Sequence, residues 1–407
     1  MLSGNTLSQA IPFLMAPLLT RIFAPEEFAI YANYLAIASM VGIVAAGRLE
    51  LAIPISKEKE GAQNIVFTGL VLTVVLALLS FVFPLFSDFF ARMYDSPELS
   101  GFLISVPLAV LSYGLLGIAN NWVLRQKKYS VLSLGKVTQS LVNSSLAALL
   151  GYWGWGTSGL IVGWMASQFA GVVILAITMN FNVRLKNYNI TTIKSTVKEY
   201  RDFPLINSLH AFTDIFATQF VLFWIISSEF GLRELGFFAM MHRYVRQPVV
   251  LITSSVSQIF YAEVSSALNE GKSPVPMLKK TISTSMIFSL PFVIVIYFFA
   301  PPLFSWYFGK DWLVSGEYAR LIIPILFMMF LVSPISGIPI LLNRQRTAYI
   351  IATTGYVVTL GSFFIATFLH WKFADALLLY ACCHALLQGV YLFWMYSLIK
   401  QRSQGTT

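Results

Sequence analysis

The sequence is poor in charge. Only 11% of its 407 residues are Asp, Glu, Lys or Arg, whereas 57% are hydrophobic. A soluble domain carries roughly 25% charged residues, so this chain lacks the charge needed to cover a water-facing surface. This scarcity excludes an ordinary soluble protein and predicts an integral membrane protein.

Cysteine is almost absent as well. The two cysteines, Cys382 and Cys383, are adjacent within an apolar run. Neighbouring residues on one helix point to different faces, which excludes a disulfide framework, and the spacing fits no metal site. We therefore expect neither a structural disulfide nor a bound metal or other cofactor.

Acidic residues are outnumbered, with 18 against 27 basic residues and a net charge of +9. Such an excess can indicate binding to nucleic acid, but here the basic residues are scattered in short loops between apolar runs. The positive-inside rule and the attraction of anionic headgroups explain this distribution better. We therefore expect the membrane, and not a nucleic acid, as the partner of these charges.

Long apolar runs, by contrast, fill the sequence. A bilayer core about 30 Å thick needs about 20 apolar residues of helix. Twelve such runs occur, at approximately 4–22, 28–47, 63–86, 100–123, 131–151, 157–179, 205–227, 235–256, 281–304, 318–342, 347–369 and 374–398. The sequence therefore predicts an all-α, polytopic membrane protein with about 12 transmembrane helices.

The basic residues also indicate an orientation. Lys and Arg concentrate in alternate loops, with 18 in one set and 6 in the other. The richer set faces the cytoplasm under the positive-inside rule. Because the number of spans is even, both termini are expected on the cytoplasmic side.

The two halves of the sequence resemble each other at a steady offset. Pro84-Leu85-Phe86-Ser87 recurs as Pro302-Leu303-Phe304-Ser305 after 218 residues, and Arg125-Gln126-Lys127 matches Arg344-Gln345-Arg346 after 219. Convergent helix ends are the alternative explanation. Six spans in each half make this a parallel repeat, which is typical of secondary transporters with a substrate path between the halves.

The repeat predicts the domain organisation. We expect an N-terminal six-helix lobe over 1–180, a basic cytoplasmic linker over 181–204 and a C-terminal six-helix lobe over 205–407.

A few ionisable residues fall inside the predicted spans, where they are costly and usually face a cavity or a partner. Asp214 lies near the middle of the seventh span, and Arg243 and Arg246 lie near the middle of the eighth. An Asp214–Arg246 ion pair is feasible because the two spans are antiparallel, but one carboxylate cannot neutralise both arginines. The result is a net-cationic interior that suits an anionic substrate such as a lipid diphosphate.

Four further residues complete the set of candidates. Lys136 lies about five residues into the fifth span, where it binds substrate or snorkels to the interface. Arg48 and Glu50 close the second span, either as a capping pair or as cavity residues. His210 lies one turn before Asp214, where it either faces the cavity or has a structural role.

Short stretches spread from end to end carry a resemblance to a known family. They are Ser3-Gly4-Asn5, Leu19-Thr20-Arg21, Pro25-Glu26-Glu27-Phe28, Gly47-Arg48-Leu49-Glu50-Leu51-Ala52-Ile53, Tyr200-Arg201-Asp202-Phe203-Pro204, Arg243 with Pro248, Ser257-Gln258-Ile259-Phe260-Tyr261, Phe308-Gly309-Lys310-Asp311-Trp312 and Gly316-Glu317-Tyr318-Ala319. In these stretches the chain resembles the Wzx-type O-antigen and exopolysaccharide flippases of the MOP superfamily, relatives of the MATE transporters. The resemblance implies two six-helix lobes that open alternately to each side of the membrane.

The same resemblance implies a function. Family members move an undecaprenyl-diphosphate-linked oligosaccharide from the cytoplasmic to the periplasmic leaflet of the bacterial inner membrane. Their cationic cavity is thought to hold the diphosphate, a role that Arg48, Arg243 and Arg246 would have here. The implied partners are the lipid-linked oligosaccharide and, in the same pathway, a polysaccharide polymerase and a chain-length regulator.

Two other functions compete with this one. A MATE-like, cation-coupled exporter of small molecules would need acidic residues in its cavity, whereas here the cations outnumber Asp214. An O-antigen polymerase or membrane glycosyltransferase typically needs a sizeable outer loop with catalytic residues, and the outer loops here are short. We therefore expect a transporter and not an enzyme.

Overall fold

The structure is a computed structural model that describes residues 2–178 and 190–404. Across these residues every regular element is helical, and no β-strand occurs. The all-α fold class predicted from the sequence is therefore confirmed.

Twelve α-helices of the described chain lie before Leu232. They are α1 (Leu2–Ile22), α2 (Pro25–Gly42), α3 (Lys59–Leu79), α4 (Val82–Leu85), α5 (Ser87–Met93), α6 (Leu99–Phe102), α7 (Val106–Arg125), α8 (Tyr129–Tyr152), α9 (Thr157–Thr178), α10 (Ile190–Glu199), α11 (Ser208–Ile215) and α12 (Leu222–Phe230), as far as the chain is described. Short 3₁₀-helices cover Leu49–Ala52 and Leu103–Ser105, and π-helical segments cover Phe203–Asn207 and Phe216–Val221.

The remaining described helices begin with a long one. They are α13 (Leu232–Asn269), α14 (Val275–Phe308), α15 (Leu313–Leu321), α16 (Ile323–Val332), α17 (Ile338–Leu341), α18 (Gln345–Phe368) and α19 (Phe373–Gln404). Two 3₁₀-helices, Lys310–Trp312 and Ser333–Ile335, join neighbouring helices in this half.

Eight helical segments of the described chain are long and apolar enough to cross a membrane. They are Lys59–Leu85, Leu99–Arg125, Thr157–Ile177, Phe203–Phe230, Val275–Phe308, Ile323–Leu341, Gln345–Phe368 and Phe373–Arg402. Each coincides with one of the spans predicted from the sequence. The protein is therefore a multi-pass membrane protein.

The other four predicted spans coincide with α1, α2, α8 and α13. These segments are helical, but they are not among the eight that are apolar enough to cross a membrane. Two of them contain charged residues: α8 contains Lys136, and α13 contains Arg243 and Arg246. Charged side chains lower the mean hydropathy of a helix without shortening it. The total of 12 spans and the cytoplasmic location of both termini stay predictions.

Contacts between Cα atoms divide the chain into two compact units, Met1–Gly236 (unit 1) and Phe237–Thr407 (unit 2). The division falls inside α13, so the seventh predicted span belongs to unit 1 by its contacts. The lobes over 1–180 and 205–407 were predicted from the sequence repeat, and they stay a prediction.

Unit 1 is held together by close helix packing. α8 packs along α9, and α1 packs on α8. A Cβ atom added at Gly163 of α9 would lie only 2.9 Å from the backbone nitrogen of Ala147 in α8. Small residues at such crossings let backbones approach closely, which is how helices associate in lipid without a hydrophobic driving force.

The predicted linker over 181–204 lies partly outside the described residues, which resume at 190. Its described part contains α10, which contacts α3. Val197, Tyr200 and Phe203 pack against a buried cluster of unit 1 that includes Leu49, Ile65 and Trp122. This segment is therefore anchored to unit 1 by an amphipathic helix, which its polar composition did not indicate.

Unit 2 is built around α14 and α19. α14 packs on α15 and α16, and α19 packs on α16 and α18. Two hydrogen bonds join α13 to the same unit: Ser315 Oγ donates to the Phe237 carbonyl at 3.0 Å, and Ser333 Oγ donates to Thr253 Oγ1 at 3.2 Å. The buried core of this unit includes Phe260, Val264, Leu278, Val332, Ile335, Met395 and Ile399.

Candidate functional site

Unit 1 contains a cavity of about 220 Å³ where α2 ends. Its walls come from the segment after α2, from α7 and from α9. The lining residues are Gly42, Ile43, Ala46, Arg48, Glu50, Tyr113, Gly114, Leu116, Gly117, Asn120 and Gln168. The structure therefore places Arg48 and Glu50 at a cavity, and their role there, as cavity residues or as a capping pair, stays a prediction.

The backbone around Arg48 explains how the two charges come to point into this space. Gly47 and Arg48 both have left-handed backbone conformations, with φ values of +63° and +56°. Glycine adopts such a conformation without strain, but an arginine does so at a cost. The chain therefore turns sharply after α2, and the 3₁₀-helix that follows carries Glu50 inward, where only 7% of it is exposed.

Arg48 and Glu50 form an ion pair that leaves part of each side chain unsatisfied. Arg48 Nη1 lies 3.7 Å from Glu50 Oε1. Within the described chain, Arg48 Nε and Glu50 Oε2 are buried and have no hydrogen-bond partner. A buried polar atom without a partner is costly, so a ligand with one acceptor and one donor would be stabilised here.

Glycines make room for this cavity. A Cβ atom at Gly42 would lie 2.3 Å from the Tyr113 ring, and one at Gly114 would lie 2.3 Å from the Thr73 side chain. α7 therefore approaches α2 and α3 too closely for any side chain at these positions. Tyr113 in turn packs on Trp164, with ring centroids 5.6 Å apart, so the wall of the cavity is rigid and aromatic.

Lys136 lies elsewhere in unit 1. It is exposed in the second turn of α8, and it does not line the cavity beside Arg48. The next turn of α8 is fixed to α1 by Ser140 Oγ, which donates to the Ser8 carbonyl at 2.5 Å. A substrate-binding role for Lys136 stays a prediction.

His210 and Asp214 lie on α11, which is flanked on both sides by π-helical segments. His210 is exposed and Asp214 is half-buried, and the carbonyl of Asp214 accepts a hydrogen bond from Thr218 Oγ1 at 2.7 Å. π-helical turns inside a helix occur frequently at functional sites. The proposed cavity role of both residues, and the Asp214–Arg246 ion pair, stay predictions.

In unit 2 the two predicted arginines are both exposed on α13. The Arg243 guanidinium lies over the Tyr244 ring at 5.7 Å, and Tyr244 packs on Phe308 at 4.9 Å. Arg246 Nη1 lies 3.1 Å from His242 Nε2, one helical turn away. Ring stacking and this hydrogen bond orient the two guanidinium groups while leaving them accessible.

A polar cluster around Arg246 was missed by the sequence analysis. His242 and His384 interact electrostatically with Arg246 and with each other. On α19, Gln388 Nε2 lies 3.2 Å from His384 Nε2, and the Tyr380 ring lies 5.8 Å from that imidazole. The four-residue spacing within each helix was a legible signal, but only the packing of α19 brings the two sets together.

The described residues contain no group of three or more His, Cys, Asp or Glu that could hold a metal ion. Cys382 and Cys383 both carry free thiols, and Cys382 is exposed.

Comparison with known proteins gives a consistent result. Among curated proteins, the chain is 21% identical over 308 residues to the succinoglycan biosynthesis transport protein ExoT of Rhizobium meliloti (strain 1021). That match covers 74% of this chain and 60% of the relative, so the chain spans less than two thirds of the length of that protein.

The fold is shared with solved transporters. An inward-facing multidrug resistance MATE family transporter of the MOP superfamily matches with a TM-score of 0.74 at 15% identity, covering 100% of this chain and 96% of the other. The lipid II flippase MurJ, in an inward closed conformation, matches with a TM-score of 0.74 at 13% identity, covering 98% and 90%.

The family model described as polysaccharide biosynthesis protein matches residues 18–317, which is well over half of the chain. The relative is described as a transport protein, and the similar structures are a transporter and a flippase, not enzymes. The protein therefore belongs to the polysaccharide biosynthesis protein family, and it has the fold of the solved MATE-like proteins.

Proposed function

We propose that the protein is a flippase for undecaprenyl-diphosphate-linked oligosaccharides in the bacterial inner membrane. It moves O-antigen or exopolysaccharide repeat units from the cytoplasmic to the periplasmic leaflet by alternating access. Family membership and a relative named for succinoglycan transport support the glycan part of this proposal. The distribution of charge supports the diphosphate part.

The observation that carries the proposal is the depth of the two exposed arginines on α13. At 1.5 Å per residue, Arg243 and Arg246 lie about 12 Å and 17 Å from the start of the predicted span at 235. Such a depth is near the middle of a bilayer core about 30 Å thick. An arginine facing lipid there costs at least about 2.5–3.5 kcal/mol, so an exposed pair is best explained by a water-filled space that admits an anion.

The balance of charge favours an anionic ligand. Four candidate residues are cationic (Arg48, Lys136, Arg243 and Arg246), whereas Glu50 and Asp214 are the acidic ones. Glu50 is already paired with Arg48. Arginine presents a fixed fork of donors that matches phosphate oxygens, and the low dielectric around it strengthens the attraction.

Complementation of a deletion strain tests the proposal. We expect Arg243→Ala and Arg246→Ala each to reduce surface-polysaccharide display by about tenfold or more, because each removes a charge-assisted hydrogen bond worth about 1.5–3 kcal/mol. Lipid-linked repeat units should accumulate on the inner leaflet. Arg346→Ala is the matched control, since it removes an exposed arginine at the start of α18.

Membrane insertion of each variant is measured by its abundance in the membrane fraction. Wild-type display in both α13 variants would contradict the assignment of these arginines. Export of cationic dyes by the wild-type protein, with no accumulation of lipid-linked repeat units in the deletion strain, would favour the MATE-like exporter instead.

A further inference from the structure

Unit 2 contains a second cavity, of about 530 Å³, whose lining includes none of the candidate substrate-binding residues. It is formed by the end of α13, the turn between α17 and α18, and the end of α19. Polar side chains form part of its wall, among them Arg344, Arg402 and Asn269, and leucines such as Leu342 form the rest. A mixed lining of this kind suits a ligand with a charged end and an apolar end.

The charge around the cavity has one dominant sign. In sequence, Lys272 lies near Asn269, Arg346 lies near Arg344 and Lys400 lies near Arg402, all in segments predicted to face the cytoplasm. The nearby acid, Glu270, forms an ion pair with Lys272 at 2.6 Å. Its hydrogen bonds with Lys272 and Ser266 lower the pKa of Glu270, so this carboxylate is an anion that is already matched by a cation.

The sequence repeat gives Arg344 a direct comparison. Arg125 occupies the matching position at the end of α7, and its guanidinium donates to three backbone carbonyls in the segment that follows α2. The distances to the carbonyls of Ile53 and Glu58 are both 3.0 Å, and Ser56 is the third acceptor. Arg125 is thus a structural residue whose hydrogen-bonding capacity is used within unit 1.

Arg344 is not satisfied in the same way, and the end of α13 differs from the segment that follows α2. This helix continues to Asn269, and the carbonyls of Ser266, Ala267 and Leu268 accept hydrogen bonds from the backbone that follows. No hydrogen bond or ion pair of the Arg344 guanidinium occurs among the described residues. The Arg344 guanidinium lines a cavity, whereas the Arg125 guanidinium contacts backbone carbonyls. The N–H donors of Arg344 are therefore available to a ligand in that cavity.

We propose that this cavity, lined by Arg344, Arg402 and Asn269, binds the phosphate headgroup of an anionic phospholipid of the cytoplasmic leaflet. Basic pockets between membrane helices on this side are suited to such headgroups, and arginine matches phosphate oxygens with two parallel donors. α18 begins at Gln345, so its positive N-terminal end adds to the same field. The site is independent of which substrate the protein moves.

Native mass spectrometry of the purified full chain tests this proposal. Dioleoyl-phosphatidylglycerol and dioleoyl-phosphatidylcholine are compared as probes, and the wild-type protein should retain the anionic lipid at least about fivefold more tightly. Arg344→Gln with Arg402→Gln should weaken retention of phosphatidylglycerol about tenfold, as expected when charge-assisted hydrogen bonds are lost.

Arg346→Gln with Lys400→Gln is the matched control, because it removes the same charge two residues away from each lining arginine. We expect less than about a twofold change for this variant, since exposed charges at a distance contribute little. Equal losses in the two double variants would overturn the site in favour of diffuse attraction. If the wild-type protein retains phosphatidylglycerol no more tightly than phosphatidylcholine, that result alone overturns the proposed site.

Free phosphate in solution carries the same oxygens as the phosphate of a lipid headgroup, so it is the other candidate ligand of this site. Inorganic phosphate and pyrophosphate are added as competitors at millimolar concentration, and the lipid should stay bound because its glycerol and acyl groups contact the leucines of the wall. Displacement of the lipid by inorganic phosphate, with the same dependence on Arg344, would identify a soluble phosphate as the ligand and overturn the lipid assignment.

Discussion

At the scale of single residues, Arg48 and Glu50 illustrate a charged pair that is only half satisfied. The left-handed turn at Gly47 and Arg48 and the following 3₁₀-helix place the pair in the cavity of unit 1. Taking two charges out of water costs more than their attraction returns unless further hydrogen bonds complete the pair. Arg48 Nε and Glu50 Oε2 have no such hydrogen bond among the described residues, and a binding role for the pair stays a prediction.

A double-mutant cycle on this pair gives the first prediction at this scale. We expect Arg48→Ala to lower the free energy of unfolding by about 1–3 kcal/mol, because it leaves the buried Glu50 carboxylate without its cation. Glu50→Gln in the same chain should recover part of that loss, with a coupling energy of about 0.5–3 kcal/mol. Denaturation of the purified protein in detergent measures all four species, and strictly additive effects would show that the two residues do not interact.

At the scale of elements, the contact between α2 and α7 depends on the absence of a side chain. The Tyr113 ring occupies the place where a Cβ atom of Gly42 would lie. Both helices line the cavity beside Arg48, so their separation sets the width of that cavity. The position of the ion pair is thus a consequence of helix packing and not of local sequence alone.

Substitution of this glycine gives a prediction for the element. Gly42→Ala should destabilise the protein by about 1–3 kcal/mol, because overpacking forces the neighbouring ring or backbone to shift. The melting temperature in detergent should fall accordingly.

Gly101→Ala serves as the control, since Gly101 is also helical but an added Cβ there would meet nothing within 4 Å. This control should change the stability little or raise it slightly, because alanine favours helix over glycine. Equal melting temperatures for the two variants would contradict the close approach of α2 and α7.

At the scale of the whole molecule, the fold does not indicate which substrate the side chains bind. A MATE family transporter and the MurJ flippase both match this chain with TM-scores of 0.74, although identities are only 15% and 13%. A fold shared at such low identity does not determine the substrate, which depends on the side chains that the helices present. The proposal of an anionic lipid-linked glycan therefore rests on the excess of cations among the candidate residues.

The orientation of the chain gives a prediction for the whole molecule. Reporter fusions after Lys128 and after Arg346 should both read as cytoplasmic, because each follows an even number of predicted spans and lies in a basic loop. Paired fusions to alkaline phosphatase and to a fluorescent protein at each position measure this orientation. A periplasmic signal at either position would overturn both the topology and the parallel repeat.

The sequence by itself determined the fold class, the membrane location and the family. Bilayer thickness converts a long apolar run directly into a helix of known length, so hydropathy summed over a window sufficed for the eight apolar spans. The same sum marked Arg243 and Arg246 as unusual, because a charge in an apolar run is visible without any structure. Short ordered stretches were enough to indicate the family.

Only the tertiary structure decided which residues meet. Arg48 and Glu50 line a cavity because α7 and α9 pack beside the end of α2. Arg246 interacts with His384 because α19 packs in the same unit. Arg125 and Arg344 share a sequence motif, yet one is held by carbonyls and the other lines a cavity. The physical reason is common to all three cases: hydropathy and helix length are local properties, whereas partners depend on contacts between segments far apart in the chain.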